Sequence, residues 1–483
     1  MAVIGSTSAQ ADVVISSQAT ANITCSGGVC RPTDTSAILN VGDLVTMLSA
    51  GNVTVSTSNG STEAENIHVE ATLAWKTPNT LSLKAHSSIL IAKPLTVGGT
   101  GGLGLSTGND GTLSFPAKGH VRFKNLSSSL VVNHTSYILL DTVATLASAI
   151  ATNPSGAYAL SDNYDASPDG TYSKAPIGTL LTGILEGLGN AISNLTVSIA
   201  DQSGAGLIGG VDTSGIVRDL ALVTPNVSAP SGSLSGALAS SNHGTVIQCH
   251  SIGGTVTGNY SGGLVGNNDG LVTLSYSSTS ASSGSSNGGL VGDNYGTISL
   301  SYATGPIQGS SWNGGLVGFN AAGAVIEQSF ATGRVSDSEF GGVLGGLVGN
   351  NQGAITDSYA SGAISSYQNG EDGGLVGANS GTIANAYSVG LVIGDTGSYV
   401  GGFVGFDTSL SGSIVDGYWD TDTSGVTDLS QGAGNIANDS GITGLTTLKL
   451  LAHLPKGFDK TVWAQHAQIN GGLPFLRANP PPK

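Results

Sequence analysis

Charge is what this chain has least of. Of 483 residues, 15 are Lys or Arg and 31 are Asp or Glu, so 10% are charged, against roughly a quarter in an ordinary domain. The balance is acidic, with a formal net charge of −16. A nucleic-acid partner needs a basic stripe, and none exists. Charge-driven adhesion to anionic membrane is excluded on the same ground, and mild acidity keeps a long β-rich chain in solution. Long apolar runs are missing too. No stretch reaches 18 residues, so no membrane-spanning helix is expected. The opening "MAVIGSTSAQADVV" holds Ala9-Gln10-Ala11, which is like a signal-peptidase site, without a basic or fully apolar region before it. It reads as a trimmed signal or as the start of a fragment of a longer chain.

Cysteine is scarce, with three residues. Cys25 and Cys30 bracket the turn-forming "SGGV" and are a disulfide candidate for an oxidising compartment. Zinc is not expected, because no further Cys/His pair follows at ligand spacing. Neither a nucleophile elbow, an HExxH helix nor a phosphate loop appears. No cofactor is expected.

Glycine is abundant, at 75 residues, but without the Gly-X-Y period of collagen. A hydrophobic share of 39% is too high for disorder. The glycines belong to a phrase that recurs. "GGLVGNNDG", "GGLVGDNYG", "GGLVGFNAAG", "GGLVGNNQG", "GGLVGANSG" and "GGFVGFDTS" align on Leu264, Leu290, Leu316, Leu347, Leu375 and Phe403, spaced by 26, 26, 31, 28 and 28 residues. Two worn copies precede them at Leu207 and Leu238. Such a period means stacked units. Each unit is too short and glycine-rich for a helix pair. It holds two or three short β runs, so three strands per coil of a parallel β-helix are expected, with coils stacked about 4.8 Å apart.

Columns run through the repeat. Asn242, Asn268, Asn294, Asn320, Asn351 and Asn379, then Asp407, fall four residues after the aligned position. Stacked amides can bond coil to coil, and Asn tolerates the left-handed corner expected there. Tyr276, Tyr302, Phe330, Tyr359, Tyr387 and Tyr418 form an aromatic column, with His250 at its head. Small residues precede it, and Cys249 falls in that small column as a packing residue. The aromatic column reads as stacking along the coil, with sugar stacking as the functional alternative. A Thr ladder of the ice-binding kind is interrupted, since Leu271 and Ala354 share the slot of Thr245, Thr297 and Thr382.

The organisation follows. Residues 1–20 read as a tail or signal remnant, 21–135 as irregular β-helix coils, and 136–200 as a helix-containing transition. Residues 201–417 are the repeat, 418–479 a cap for the open end, and 480–483 a tail. Short helices are expected after the N-cap candidates Asp43 and Asp141, and at 446–454. Asp162, Asp165 and Asp169 are a calcium candidate, with a spacing unlike an EF-hand loop. Local backbone hydrogen bonding is the plainer reading of such loop aspartates.

The phrase "GGLVGxNxGTIxxSYATG" resembles the GLUG repeat of filamentous haemagglutinin-like bacterial exoproteins. The block "SGAYALSDNYDAS…APIG…LTGILEGLGNAISNLTV" is similar to the one that precedes GLUG repeats, with Leu181, Ile184, Leu185 and Glu186 as departures. "YWDTDTSG" and "VWAQHAQINGGLPFLR" are similar to its closing segment. The resemblance spans roughly residues 130–477. It implies an all-β, right-handed parallel β-helix with a few short helices and a C-terminal cap. It further implies a secreted or cell-surface adhesin exported through an outer-membrane transporter. The two-partner secretion motif of such proteins is missing, since "NPSG" at 153–156 follows a helical pattern, so that export route does not carry over.

Three functions are therefore weighed. The first is a non-catalytic adhesin or stalk that binds glycans or a host or matrix surface through its lateral faces. The second is a polysaccharide lyase or hydrolase. Its candidates are Glu65, His68 and Glu70 in "ENIHVEA", close to Glu63, Trp75 and Lys76. The third is end-to-end assembly into a homo-oligomer or fibre. In the repeats the carboxylates Glu327, Asp337, Glu339, Asp357, Glu371 and Asp372 are scattered rather than aligned. Glycosidase chemistry needs a pair of them across a groove.

Overall fold

The structure is a computed structural model that describes residues 12–58, 64–116, 118–282, 284–337 and 341–482. The Ala9-Gln10-Ala11 triplet, Glu63 and Glu339 lie outside them. The chain is an all-β solenoid with few short helices. It divides into two units, residues 1–164 with 183–192 and 217–221, and residues 165–182, 193–216 and 222–483.

In the first unit, short parallel strands repeat on three faces. Asn66–Val69, Leu73–Trp75 and Leu81–Lys84 make one coil. Ile89–Ile91, Leu95–Val97 and Gly102–Ser106 make the next. The register sets Leu73 beside Leu95 and Leu95 beside Val121. Alternate side chains point inward, so Ile67, Val69, Leu81, Leu83, Leu95 and Val97 are fully buried. Two hairpins interrupt the winding. Gly27 (φ 57°) and Gly28 (φ 78°) turn one, and Asn133 (φ 46°) and His134 (φ 68°) the other. Both central residues at positive φ match the twist of the flanking strands.

Helix α1, Val41–Ala50, is capped by Asn40, whose Oδ1 accepts from Gly42 N at 2.8 Å. Helix α2, Val143–Thr152, is capped by Thr142, which accepts from Thr145 N at 3.1 Å. The sequence suggested Asp43 and Asp141 as caps. A cap oxygen has to reach the second or third helical N–H from just outside the helix. Asn40 and Thr142 stand there, whereas Asp43 already lies in the first turn.

In the second unit the regular coils have five short strands, or four where Thr382–Ser388 runs on as one, rather than the expected three. One coil is Trp312–Gly314, Val317–Asn320, Val325–Glu327, Phe330–Ala331 and Val335–Asp337. Short polar turns conceal these breaks from periodicity. The register places Val265, Val291, Val317, Val348, Val376 and Val404 in one column, all fully buried.

The glycines of "GGLVG" are close-approach positions, not left-handed corners. A Cβ at Gly314 would run into the Val317 carbonyl oxygen, and one at Gly315 into the Gly346 oxygen of the next coil. The left-handed corner is elsewhere, at Gln248, Leu274, Leu300, Gln328, Asp357, Asn385 and Asp416, with φ between 44° and 54°. The Asn column, expected at a corner, sits at strand ends without positive φ.

The segment 418–479 divides in two. Ile414–Asp420 and Ile442–Leu445 continue the coil stack, with Tyr387 beside Tyr418 and Gly417 beside Ile442. Helix α3 follows, Thr447–Ala452. Beyond it the chain returns along the side of the coils as a strap. Trp463 Nε1 donates to Asp357 Oδ1 at 2.9 Å, and Asn479 Nδ2 reaches the Ser301 and Gln328 oxygens at 3.1 Å each. Burial of outward aromatic rings is the physical reason. Phe330, Tyr359 and Tyr387 are fully buried in a cluster with Phe458, Trp463 and Leu476.

Candidate functional site

Two polar ladders and one ring ladder run through the repeat coils. Asn242 Nδ2 donates to Asn268 Oδ1 at 2.7 Å, and Asn268 to Asn294 at 2.7 Å. The run continues through Asn320, Asn351, Asn379 and Asp407 at 2.8 Å per step. Every donor points toward the later coil, and the last member, a carboxylate, can accept without having to donate. Serine makes the second ladder, in the column that sequence reading took as merely small. Ser275 Oγ accepts the Cys249 N–H at 3.1 Å, and Ser301, Ser329 and Ser358 repeat this at 3.2 Å. Buried Cys249 thus heads a hydrogen-bonded column.

The rings stack with their coils. Centroids lie 4.9 Å apart for Tyr276–Tyr302, 4.8 Å for Tyr302–Phe330 and Phe330–Tyr359, and 5.0 Å for Tyr359–Tyr387. That is the spacing of hydrogen-bonded strands, so the register alone produces it. His250 stacks on Tyr276 at 4.0 Å, and burial holds its pKa down at about 4, so it is neutral at pH 7. The ring faces are occupied by one another and the later rings by the strap.

The other sequence candidates are placed as follows. Cys25 and Cys30 form a disulfide across the first hairpin. His68 lies 3.9 Å from Glu70 Oε1 and 3.7 Å from Asp12 Oδ2, on the partly exposed neighbouring strand. Asp12 joins this group because the register sets Val14 beside His68. Glu65 makes no ion pair among the described residues. Trp75 belongs to the core, with Nε1 donating to Asn79 O at 2.9 Å.

The three calcium-candidate aspartates are each engaged separately. Asp162 takes Arg122 at 2.5 Å and Lys124 at 2.7 Å, and these cations hold its carboxyl low against the opposing effect of burial. Asp165 accepts from Asn194 at 2.9 Å, and Asp169 from the Tyr172 hydroxyl at 2.7 Å. Glu186 is fully buried with Arg218 Nε at 2.5 Å. Burial pushes the carboxyl pKa values of Glu186 and neighbouring Asp219 up. This network joins coils, with Glu186 and Asp219 buried and Arg218 partly exposed.

A different group stands on the lateral wall of the second unit. Strands Tyr260–Gly262, Ser286–Gly288 and Trp312–Gly314 run in register, so Tyr260, Ser286 and Trp312 form one column, partly exposed at Tyr260 and Trp312 and fully buried at Ser286. Around the corner, Asn267, Asp293 and Phe319 form another. Phe319 stacks on Trp312 at 5.0 Å and meets Tyr295 edge-on at 6.0 Å. Asp293 is only 6% exposed, although Asn267 and Phe319 of the same column are partly open. Burial raises its carboxyl to about 6 against a Ser286 hydroxyl that lowers it. Its Oδ1 is buried without a hydrogen-bond partner. Burial, followed by the charges of Asp293 and Asp269, raises the phenol pKa of Tyr295, so these groups share one neighbourhood. The repeat phrase does not announce them, because they are the positions at which the repeat varies; that variation, in the columns through Tyr260 and Asn267, is the signal the sequence carries.

No protein-family model matches the chain, and no curated protein matches it either. Among solved structures it is similar to a chain described as "IgA1 Protease", with a TM-score of 0.33 and 19% identity over 56% of this chain. The matched part spans 20% of that protein's length.

Proposed function

We propose that this chain is a non-catalytic β-solenoid of a secreted or cell-surface protein of the filamentous haemagglutinin-like, GLUG-repeat kind. It acts as a stalk and adhesin whose lateral wall binds glycans or matrix. One observation carries the reading. The interior columns and the ring ladder keep their residue type from coil to coil, whereas the lateral columns through Tyr260 and Asn267 vary and, with Tyr295, gather aromatic and carboxylate side chains at Tyr260, Asp293, Trp312 and Phe319. Rings beside polar groups suit a partner with apolar and polar faces. The Cys25–Cys30 disulfide fits an oxidising compartment. Among the described residues no helix is long and apolar enough to cross a membrane. Retention on immobilised glycans and matrix proteins tests the reading. Binding that is lost with Trp312→Ala supports it, and no retention on any surface leaves a plain stalk.

A second reading rests on Asp12, His68 and Glu70, an acid–base group on an exposed strand face. It makes the chain a polysaccharide lyase or hydrolase. New reducing ends or unsaturated uronides from a polysaccharide panel, abolished by His68→Ala, establish it. A folded chain that cleaves nothing removes it. Fibre assembly is a third reading, tested by sedimentation against concentration.

A further inference from the structure

We propose that Asp293, with the rings of Tyr260, Tyr295, Trp312 and Phe319, forms a receptor for an ammonium group carried by the partner. This deepens the adhesive reading and rests on it. Four observations converge.

The first is geometric. Small Ser286 stands between Tyr260 and Trp312 in their column. Ser286 is itself fully buried, so the wall is closed over it in the ligand-free chain. Asp293 follows in the same coil, and Phe319, its register neighbour, packs on Trp312. The second is the state of the carboxylate. Asp293 occupies an outward position yet is nine-tenths buried, with Oδ1 lacking any partner.

The third is the lack of a counter-charge. No Lys or Arg occurs between Arg218 and Arg334, so the coils of Tyr260 and Asp293 supply no cation, and that of Trp312 supplies only Arg334, just before its last strand, Val335–Asp337. Nearby Asp269 adds a second carboxylate, and its neighbour His243 lies 3.3 Å away. The fourth is the sign of the rings. Aromatic faces carry the negative end of the quadrupole and attract cations, most strongly Trp. Carboxylates and ring faces thus present one sign of potential, which a neutral sugar leaves uncompensated. A protonated or alkylated ammonium group complements it. Tyr295 is 49% exposed and stands at the rim, where side-chain rotation is fast enough to admit a ligand.

The ammonium has two sources, the primary amine of an amino sugar and the quaternary headgroup of a lipid or polymer. Two probes separate them: a deacetylated glucosamine oligosaccharide and tetramethylammonium. The N-acetylated oligosaccharide is the neutral control. The full chain is titrated while tryptophan emission is followed, because Trp75, Trp419 and Trp463 are buried and Trp312 is half-exposed. The expected result is saturable change with at least one ammonium probe and at least tenfold weaker response to the neutral control. The better probe names the source. Asp293→Asn is expected to weaken binding tenfold or more, and Trp312→Phe less than Trp312→Ala. Acidification below about pH 6 should weaken binding as Asp293 is protonated. Asp269, Tyr260, Tyr295 and His243 also face the site, so the acid effect must vanish in Asp293→Asn.

Equal binding of the neutral oligosaccharide, or full affinity in Asp293→Asn with an unchanged circular dichroism spectrum, overturns the proposal. So does the absence of response to both ammonium probes. If neutral glycans alone retain the chain, the adhesive reading stands and this inference falls. If ammonium probes bind but no glycan or matrix surface retains the chain, the reverse holds.

Discussion

Replacing Asn294 by alanine should loosen the repeat more than any exposed change of equal size. Asn294 is fully buried, accepts from Asn268 at 2.7 Å and donates to Asn320 at 2.8 Å. Truncation leaves Asn268 Nδ2 with only the Gly270 and Thr297 oxygens, each at 3.3 Å, and strips Asn320 Oδ1 of its ladder donor. The loss of its ladder donor costs Asn320 Oδ1 about 1–3 kcal/mol, the weakened Asn268 amide adds a smaller amount, and the vacated volume adds to both. A total of roughly 3–5 kcal/mol follows by the same reasoning. Asn294→Asp sharpens the test. It keeps an acceptor for Asn268 but turns a carboxylate toward the Asn320 oxygen. Its folded-state pKa should lie above the unfolded value, because burial and the facing oxygen both disfavour the charge. Stability is then greatest at low pH and is lost as pH rises through the folded pKa. Solenoids need not unfold in one step, so hydrogen exchange across residues 260–351 is the assay, backed by urea unfolding. A loss under about 1 kcal/mol for Asn294→Ala, or equal protection of Asn294→Asp at pH 5 and pH 8, would refute the directional ladder.

Other perturbations test the strap, the corner and the buried acids. Trp463→Ala removes a fully buried ring and its bond to Asp357, and should cost about 3–5 kcal/mol. Limited proteolysis should then release the strap beyond about residue 455 while the coils stay protected. Leu300, partly exposed at φ 49°, should be improved by Asn or Gly, raising stability by up to about 1 kcal/mol in urea unfolding. Asp372 is fully buried, and burial, partly offset by Ser366 and reinforced by Asp337, pushes its carboxyl up to about 7. Its contribution to stability is complete below the unfolded pKa and is lost as pH rises from about 4 to 7. Asp372→Asn should flatten that part of a pH–stability curve measured by hydrogen exchange.

The repeat, its columns and the all-β class were legible because stacking places equivalent residues on one another. The column residues could be named, yet not always their job. Asn294 was expected at a left-handed corner, whereas Leu300 sits at it, and nothing in a leucine announces positive φ. The glycines of "GGLVG" signalled a special backbone without saying whether conformation or close approach required it. The strap was least legible. A bond from Asn479 to Ser301 joins residues 178 apart, and no local pattern encodes such a return. Asp12 beside His68, separated by 56 positions, was hidden by the same non-locality.

These findings bear on why Asp293 is there at all. The interior ladders stabilise each coil through repeated, nearly identical bonds, so a single outward position can be unfavourable without unfolding its coil. Asp293 is such a position. Moving its carboxyl from 3.8 to about 6 by burial corresponds to about 3 kcal/mol against the folded state once the group is ionised. With the folded pKa above the unfolded one, that penalty grows as pH rises through about 6. Asp293→Asn should therefore make the ligand-free chain more stable at pH 8, by up to about 3 kcal/mol, and change little at pH 4. A residue kept only for structure would show the opposite, a loss of stability on substitution at both pH values. Gain of stability together with loss of ammonium binding is the pattern expected where a fold carries a locally unfavourable group for the sake of a ligand. Urea unfolding of both forms at the two pH values decides between these outcomes. A destabilised Asp293→Asn at pH 8 would place Asp293 among the structural carboxylates and deprive the lateral site of its anchor.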